Sequence, residues 1–153
     1  MDLTDLSICK MTNKDLNEIK DCLMSDFDDF WDYTTLKNEL SSPFSNYFVV
    51  KYSNQIVAFA GIKFILDEVE LMNIVTKKSE RHKKIATYLL NYLIDFCKLN
   101  KKNLINLEVN AKNSIAINFY KKHNFKQVNL RKNYYNGTDD AIIMVLNLND
   151  ENV

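Results

Sequence analysis

The sequence predicts a mixed α/β domain in which a sheet of six or seven strands is flanked by about four helices. Three observations predict it. Short runs rich in β-branched and aromatic residues recur between turn residues, as strands require. Segments with helical apolar spacing return between those runs, and a helix that leaves one strand and reaches the next implies a parallel step within a mixed sheet. The 153 residues are 46% hydrophobic and 26% charged, the profile of a soluble globular protein with room for one core. No linker, repeat or low-complexity tract interrupts them, so residues 1–153 read as a single domain.

Taken in order, Leu6–Met11 is a short strand. Thr12 and Asp15 form a capping box, after which Leu16, Ile19, Cys22 and Leu23 follow helical spacing. Residues 25–33, SDFDDFWDY, make an acidic, aromatic loop, and a short helix spans Thr35–Leu40. Strands follow at Tyr47–Tyr52, Gln55–Leu66 and Glu70–Thr76, joined by turns at Ser53-Asn54 and Asp67-Glu68. These three suit an antiparallel meander. A basic loop then opens into a long helix whose Ile85, Leu89, Tyr92, Leu93 and Phe96 mark one face. That helix crosses over to a parallel strand, Leu104–Asn110. Asn113 or Ser114 caps a helix reaching Lys122. Phe125–Leu130 and Ala141–Leu148 are the last strands, joined by the loop RKNYYNGTDD.

Lys+Arg and Asp+Glu are 20 each, so bulk charge gives no reason to expect direct nucleic-acid binding. Cys9, Cys22 and Cys97 are odd in number and lack metal-ligand spacing, which fits a reducing cytoplasm better than a disulfide framework. His82 and His123 have no companion ligands, so no metal site is expected. No stretch approaches the roughly 20 apolar residues of a membrane span, and MDLTDLSICK has neither the basic start nor the apolar run of a signal peptide.

One feature is out of place. Arg81, His82, Lys83 and Lys84 stand where the long helix begins, although a helix N-terminus carries partial positive charge. Taken alone, the run reads either as a solvated loop offset by Glu80 or as a site for an anion.

The element order and this basic loop resemble the GCN5-related N-acetyltransferase (GNAT) family. Its members bind acetyl-CoA at a loop-to-helix pattern Gln/Arg-x-x-Gly-x-Gly/Ala, to which Arg81-His82-Lys83-Lys84-Ile85-Ala86 is similar, with Lys84 in place of the first glycine. The segment LEVNAKNSIAINFYKKHNFKQVNLRKNYYNGTDDAIIM resembles the RimI branch, bacterial N-terminal acetyltransferases of a ribosomal protein. That branch carries Leu-Glu-Val-Arg-x-Ser-Asn, a Leu-Tyr pair before Gly-Phe, and Arg-x-Asn-Tyr-Tyr. The similarity covers roughly Gln55 to Leu148; upstream it is carried by Phe30-Trp31 and the following helix. The departures are Lys84, Asn110, Lys112 and His123-Asn124.

The resemblance implies acetyl transfer from acetyl-CoA to the N-terminal alanine of a small-subunit ribosomal protein by a cytoplasmic monomer or weak homodimer. Glu108 matches the general base and Tyr120 the acid that protonates the departing sulfur. Alternation places Leu104, Asn106, Glu108 and Asn110 on one strand face, opposite Ile105, Leu107 and Val109. Read by themselves, Glu108 is an ordinary solvent-facing residue and Tyr120 a core aromatic. Ile74, Val75 and Thr76 match the strand that pairs with the pantetheine arm, which requires its end to be splayed from Leu104–Asn110. His82 to Thr87 would offer backbone N–H groups to the pyrophosphate; if Lys84 is already helical, its φ is negative and its ammonium can point outward. Asn113 matches a cofactor-contacting asparagine. Tyr134 and Tyr135 resemble the tyrosines that hold the acceptor backbone, and Trp31 lies in the loop bordering the acceptor. Asp26, Asp28, Asp29 and Asp32 in that loop would attract a basic N-terminal arm; neutralising all four should then raise the KM for a basic peptide.

Amine basicity favours this acceptor. An α-amine of pKa about 7.7–8.0 is far more often neutral at pH 7 than a lysine of about 10.4, so it asks less of a single glutamate. The alternatives are a GNAT acting on a small amine or a lysine, and a non-catalytic acetyl-CoA-binding module.

Overall fold

The computed structural model describes residues 2–27 and 31–149. Seven strands are ordered β1-β2-β3-β4-β5-β7-β6. They are β1 (Leu6–Lys10), β2 (Ser45–Tyr52), β3 (Gln55–Ile65), β4 (Glu68–Thr76), β5 (Leu104–Asn110), β6 (Lys126–Tyr135) and β7 (Asp139–Asn147). The helices are α1 (Asn13–Ile19), α2 (Tyr33–Leu40), α3 (Ile85–Leu99) and α4 (Ser114–Lys122). This is the expected mixed sheet with four helices. The chain divides into two compact units, one holding residues 1–64 and 72–96, the other 65–71 and 97–153.

In the first unit β1, β2 and β3 pair antiparallel, the turn between β2 and β3 being closed by Ser53 and Asn54, both at positive φ. Positive φ at two successive turn residues matches the twist of a two-residue hairpin. Alternation then decides which side chains meet which helix. Tyr47 and Val49 join Phe59 and Val75 beneath Leu16 of α1 and Leu36 of α2. Phe48, pointing the other way, meets Tyr92 and Phe96 of α3 with ring centroids 5.2 and 5.0 Å away. Helix α1 starts on the expected capping box: Asp15 N donates to Thr12 Oγ1 (3.1 Å) and Thr12 N to Asp15 Oδ2 (2.9 Å). Its helical path then tightens to a 3-10 turn at Lys20–Cys22 and widens to a π turn at Leu23–Phe27. Along α3, Leu89 and Leu93 are buried as the spacing predicts, whereas Tyr92 sits at the rim, 37% exposed.

In the second unit β4 pairs parallel with β5 through Glu68↔Leu104, Val69↔Ile105 and Glu70↔Asn106. β5 pairs antiparallel with β7 along its whole length, from Leu104↔Asn147 to Asn110↔Ala141. Ile105, Leu107 and Val109 are buried, as the alternation requires. Asn113 caps α4, accepting from Ala116 N at 3.1 Å.

One expectation fails here. Residues 131–135, read as loop, continue β6 as far as Tyr135, and the turn is confined to Asn136–Thr138. β6 ends the sheet and is exposed along nearly its whole length, so no buried face imposes the two-residue period that marks a strand in sequence.

Candidate active site

In the first unit the basic loop descends from extended Arg81 into α3, which begins at Ile85. Lys84 has φ +65° and His82 φ +66°. The condition of a helical Lys84 with negative φ is therefore not met. Lys84 O already accepts the first helical bond from Tyr88 N (3.1 Å), but its own backbone lies in the left-handed region. The chain must turn from extended Arg81 into the helix at Ile85 within three residues, and at Lys84 that turn takes the conformation a glycine would supply. Two of the four basic side chains are engaged: Arg81 Nη2 donates to Phe27 O (3.4 Å) and Lys83 Nζ meets Glu80 Oε2 at 2.8 Å. With Ile85, Ala86 and Thr87 forming the first turn, the donor set is cationic side chains and N-terminal N–H groups, chemistry that fits the phosphates of acetyl-CoA. Ile74, Val75 and Thr76 end β4, with Val75 buried in the cluster beneath α1 and α2.

Trp31 packs on that same cluster, its ring 6.1 Å from Tyr47. Asp32 caps α2 by accepting from Thr35 N at 2.8 Å, and that bond holds its carboxyl below the usual range. Asp26 accepts from Ser25 Oγ. Asp28, Asp29 and Phe30 lie outside the described residues.

The second unit gathers three of the expected site residues around one that had no role assigned. Glu108 projects from the exposed face of β5, and its Oε1 meets Arg131 Nη1 at 3.1 Å. The Arg131 guanidinium lies 5.4 Å from the centre of the Tyr134 ring, which meets Tyr135 edge-on at 5.2 Å. Burial raises the pKa of Tyr135, and the nearby Glu108 charge and Tyr134 raise it further. A bulge produces this grouping. Arg131 pairs with Ala141 and Tyr135 with Asp139, so Lys132, Asn133 and Tyr134 oppose Asp140 alone. Asn133 takes φ +54° and its N–H donates to Asp140 Oδ1 (2.9 Å). The only sequence signal for Arg131 was its place at the head of RKNYY.

Tyr120 sits on α4 with its ring against Phe119 and Phe125, each at 5.4 Å. Burial pushes its phenol up to about 12, so it stays protonated at neutral pH. The loop from β5 to α4 shows how two departures from the branch pattern are accommodated. Asn110 Nδ2 donates to Asp139 Oδ2 (3.0 Å), and Lys112 Nζ meets Asp139 Oδ1 (2.7 Å). Asn124, where glycine is usual, takes the left-handed φ of +71°.

Sequence reading missed Asn73. Its Oδ1 and Tyr47 Oη are buried without hydrogen-bond partners among the described residues. The signal available was an amide within the apolar run LMNIVT. Among the described residues no cluster of His, Cys, Asp and Glu is arranged to hold a metal ion, and no helix is long and apolar enough to cross a membrane.

The family model described as Acetyltransferase (GNAT) matches residues 13–125. An Escherichia coli [ribosomal protein bS18]-alanine N-acetyltransferase is 33% identical over 121 residues, 76% of this chain and 80% of that protein. A Bacillus subtilis protein, named as a candidate for the same activity, is 27% identical over 150 residues, 96% of this chain and 99% of its own. The crystal structure of the ribosomal-protein-S18-alanine N-acetyltransferase from E. coli superposes with a TM-score of 0.85 at 28% identity, covering 97% of this chain and 98% of that one.

Proposed function

The chain belongs to the acetyltransferase (GNAT) family, whose cosubstrate is acetyl-CoA, and on that premise we propose that it acetylates the N-terminal α-amine of a protein, the alanine of ribosomal protein bS18. The observation that carries this reading is the likeness, over nearly the full length of both chains, to the E. coli S18-alanine N-acetyltransferase. The grouping of Glu108 with Tyr134 and Tyr135 supports it, because a carboxylate beside two tyrosines suits an ammonium on a peptide backbone.

Three tasks have to be met: the acceptor must lose a proton, the tetrahedral oxyanion must be stabilised, and the leaving sulfur must gain a proton. Glu108 takes the ammonium proton. The neutral amine attacks the thioester carbonyl directly. Tyr120, a phenol held protonated by burial, delivers its proton to the departing sulfur. The loop Arg81–Thr87 holds the phosphates, and the backbone of Ile74–Thr76 lies along the pantetheine arm. Asn113 contacts the cosubstrate while capping α4. In this reading residues 1–153 act as one acetyltransferase domain.

The test is coenzyme A release with acetyl-CoA and a peptide panel: matched N-termini Ala-Arg, Ser, Met and Gly, a blocked N-terminus with a free lysine, and a polyamine. Turnover on Ala-Arg that disappears on blocking the α-amine is the expected result. Turnover on the blocked lysine peptide or the polyamine alone refutes the proposed acceptor.

A further inference from the structure

We propose that Arg131 is a positioning residue for the reaction: its guanidinium fixes the carboxylate of Glu108 and the ring of Tyr134 in one arrangement, so that base and acceptor grip are set together. The inference rests on Glu108 acting as the base.

Packing does not explain the pair. The Arg131 side chain is 51% exposed and that of Glu108 28% exposed, and ion pairs so open to water contribute little to stability. The approach of Tyr134 to that pair comes from a departure of the sheet from regularity. Between Arg131 and Tyr135 three residues of β6 face one of β7, and Asn133 is held left-handed with its N–H on Asp140. A bulge gives up ladder hydrogen bonds and re-aims the side chains on either side of it. β6 is exposed along nearly its whole length, so core packing does not demand the irregularity. What the bulge achieves is to bring the Tyr134 face within 5.4 Å of the Arg131 guanidinium, which meets Glu108 at 3.1 Å.

The chemistry of the two partners defines the role. A guanidinium keeps its proton in proteins, so Arg131 cannot exchange one with the acceptor. Its Nη1 lies 3.1 Å from Oε1 of Glu108. An ion pair at one oxygen narrows the rotamers Glu108 samples, and a carboxylate has a second oxygen with which to receive an incoming ammonium. The planar guanidinium also stacks on an aromatic face, which a lysine ammonium does less well. Arg131 therefore acts through Glu108 and Tyr134 rather than on the reacting atoms.

The experiment is a double-mutant cycle in single-turnover kinetics, with enzyme in excess, on acetyl-CoA and an Ala-Arg peptide. The variants are Arg131→Met, Arg131→Lys, Glu108→Gln and Glu108→Gln/Arg131→Met, each checked by thermal melting. Misplacing a catalytic group by an ångström costs up to about 100-fold, so Arg131→Met should slow turnover by about 10- to 100-fold. Acetyl-CoA affinity should stay within about threefold, because Arg131 meets the acceptor side only. Arg131→Lys keeps a cation for Glu108 and should recover part of the loss. In the Glu108→Gln background, removing Arg131 should cost clearly less than in the parent, since only its hold on Tyr134 is left to lose. Wild-type turnover by Arg131→Met, or an equal loss with and without Glu108, overturns the proposal. If Glu108→Gln abolishes turnover while Arg131→Met is fully active, this inference fails and the base assignment stands. If Glu108→Gln itself is fully active, the base assignment fails and this inference with it.

Discussion

Replacing Lys84 by glycine and by alanine separates two roles that one residue combines. Lys84 carries a β-carbon at φ +65°. Holding a side-chain-bearing residue there costs of order 1–3 kcal/mol. Alanine retains that cost and removes the ammonium; glycine removes both. Glycine loses about 0.5–1 kcal/mol more backbone freedom on folding than alanine. The net expectation is that Lys84→Gly is more stable than Lys84→Ala by about 1 kcal/mol, or about 2–4 °C in Tm for a chain of this size. Cosubstrate binding should behave differently. Both variants lose the same charge, which in the proposed site would lie beside the phosphates and be worth on the order of 1 kcal/mol or about fivefold in Kd at low salt. That loss should be equal in the two variants and shrink as salt rises. Calorimetric melts and acetyl-CoA titrations at two salt concentrations read both effects. Equal stability of the two variants would refute the strain argument. Tighter acetyl-CoA binding by Lys84→Gly than by the parent would show that the lysine obstructs the site.

Burial opposes ionisation of Asp15, but hydrogen bonds from Thr12 and Lys51 outweigh it and hold the carboxyl below its usual range. A depressed folded pKa gives stability that is complete above the unfolded value of about 3.9 and is lost as pH falls through the folded one. Melts between about pH 6 and pH 2 should therefore show a steeper acid decline for the parent than for Asp15→Asn, with Asp15→Asn lower at neutral pH by roughly 1–3 kcal/mol. A β-carbon added at Gly61 would overlap the Tyr47 ring, itself buried against Trp31, so Gly61→Ala should cost about 1–3 kcal/mol in denaturant unfolding. Burial pushes the Cys97 thiol up to about 12, whereas Cys9 is exposed. Mass spectrometry after brief alkylation should find Cys9 modified and Cys97 intact until the protein is unfolded.

What sequence revealed and what it hid follow from where each residue's constraint comes from. The Thr12–Asp15 box and the Asn113 cap are local, because side chain and backbone donor lie within three residues of each other. β5 was legible because one of its faces is buried, which writes Ile105, Leu107 and Val109 into alternate positions. β6 has no such face, and its second half was read as loop from the Asn and Gly that mark the bulge and the turn. The Arg131 contact was not legible at all. It joins two strands that β7 separates in the sheet, and it depends on the slip of register between Gln127 and Asn129 that sets Arg131 opposite Ala141.

Lys84 shows a different kind of illegibility. Lysine is a good helix former and stands directly before a helix, so propensity argues for negative φ. The structure chooses otherwise because a turn fixes a backbone conformation and not a residue type. The sequence has only two glycines, and among the described residues nine non-glycine residues adopt positive φ. Four of them, Asn54, Asn124, Asn133 and Asn136, are asparagine, which tolerates the left-handed region better than other side chains do. Two of the nine, Lys84 and Asn124, stand where the family pattern has glycine, and both keep the geometry glycine would have given. Scoring such positions by residue identity counts them as departures; scoring them by φ does not. The basic loop thus retains the turn that leads its N–H groups into the start of α3, and it gains a cation there at the cost of backbone strain.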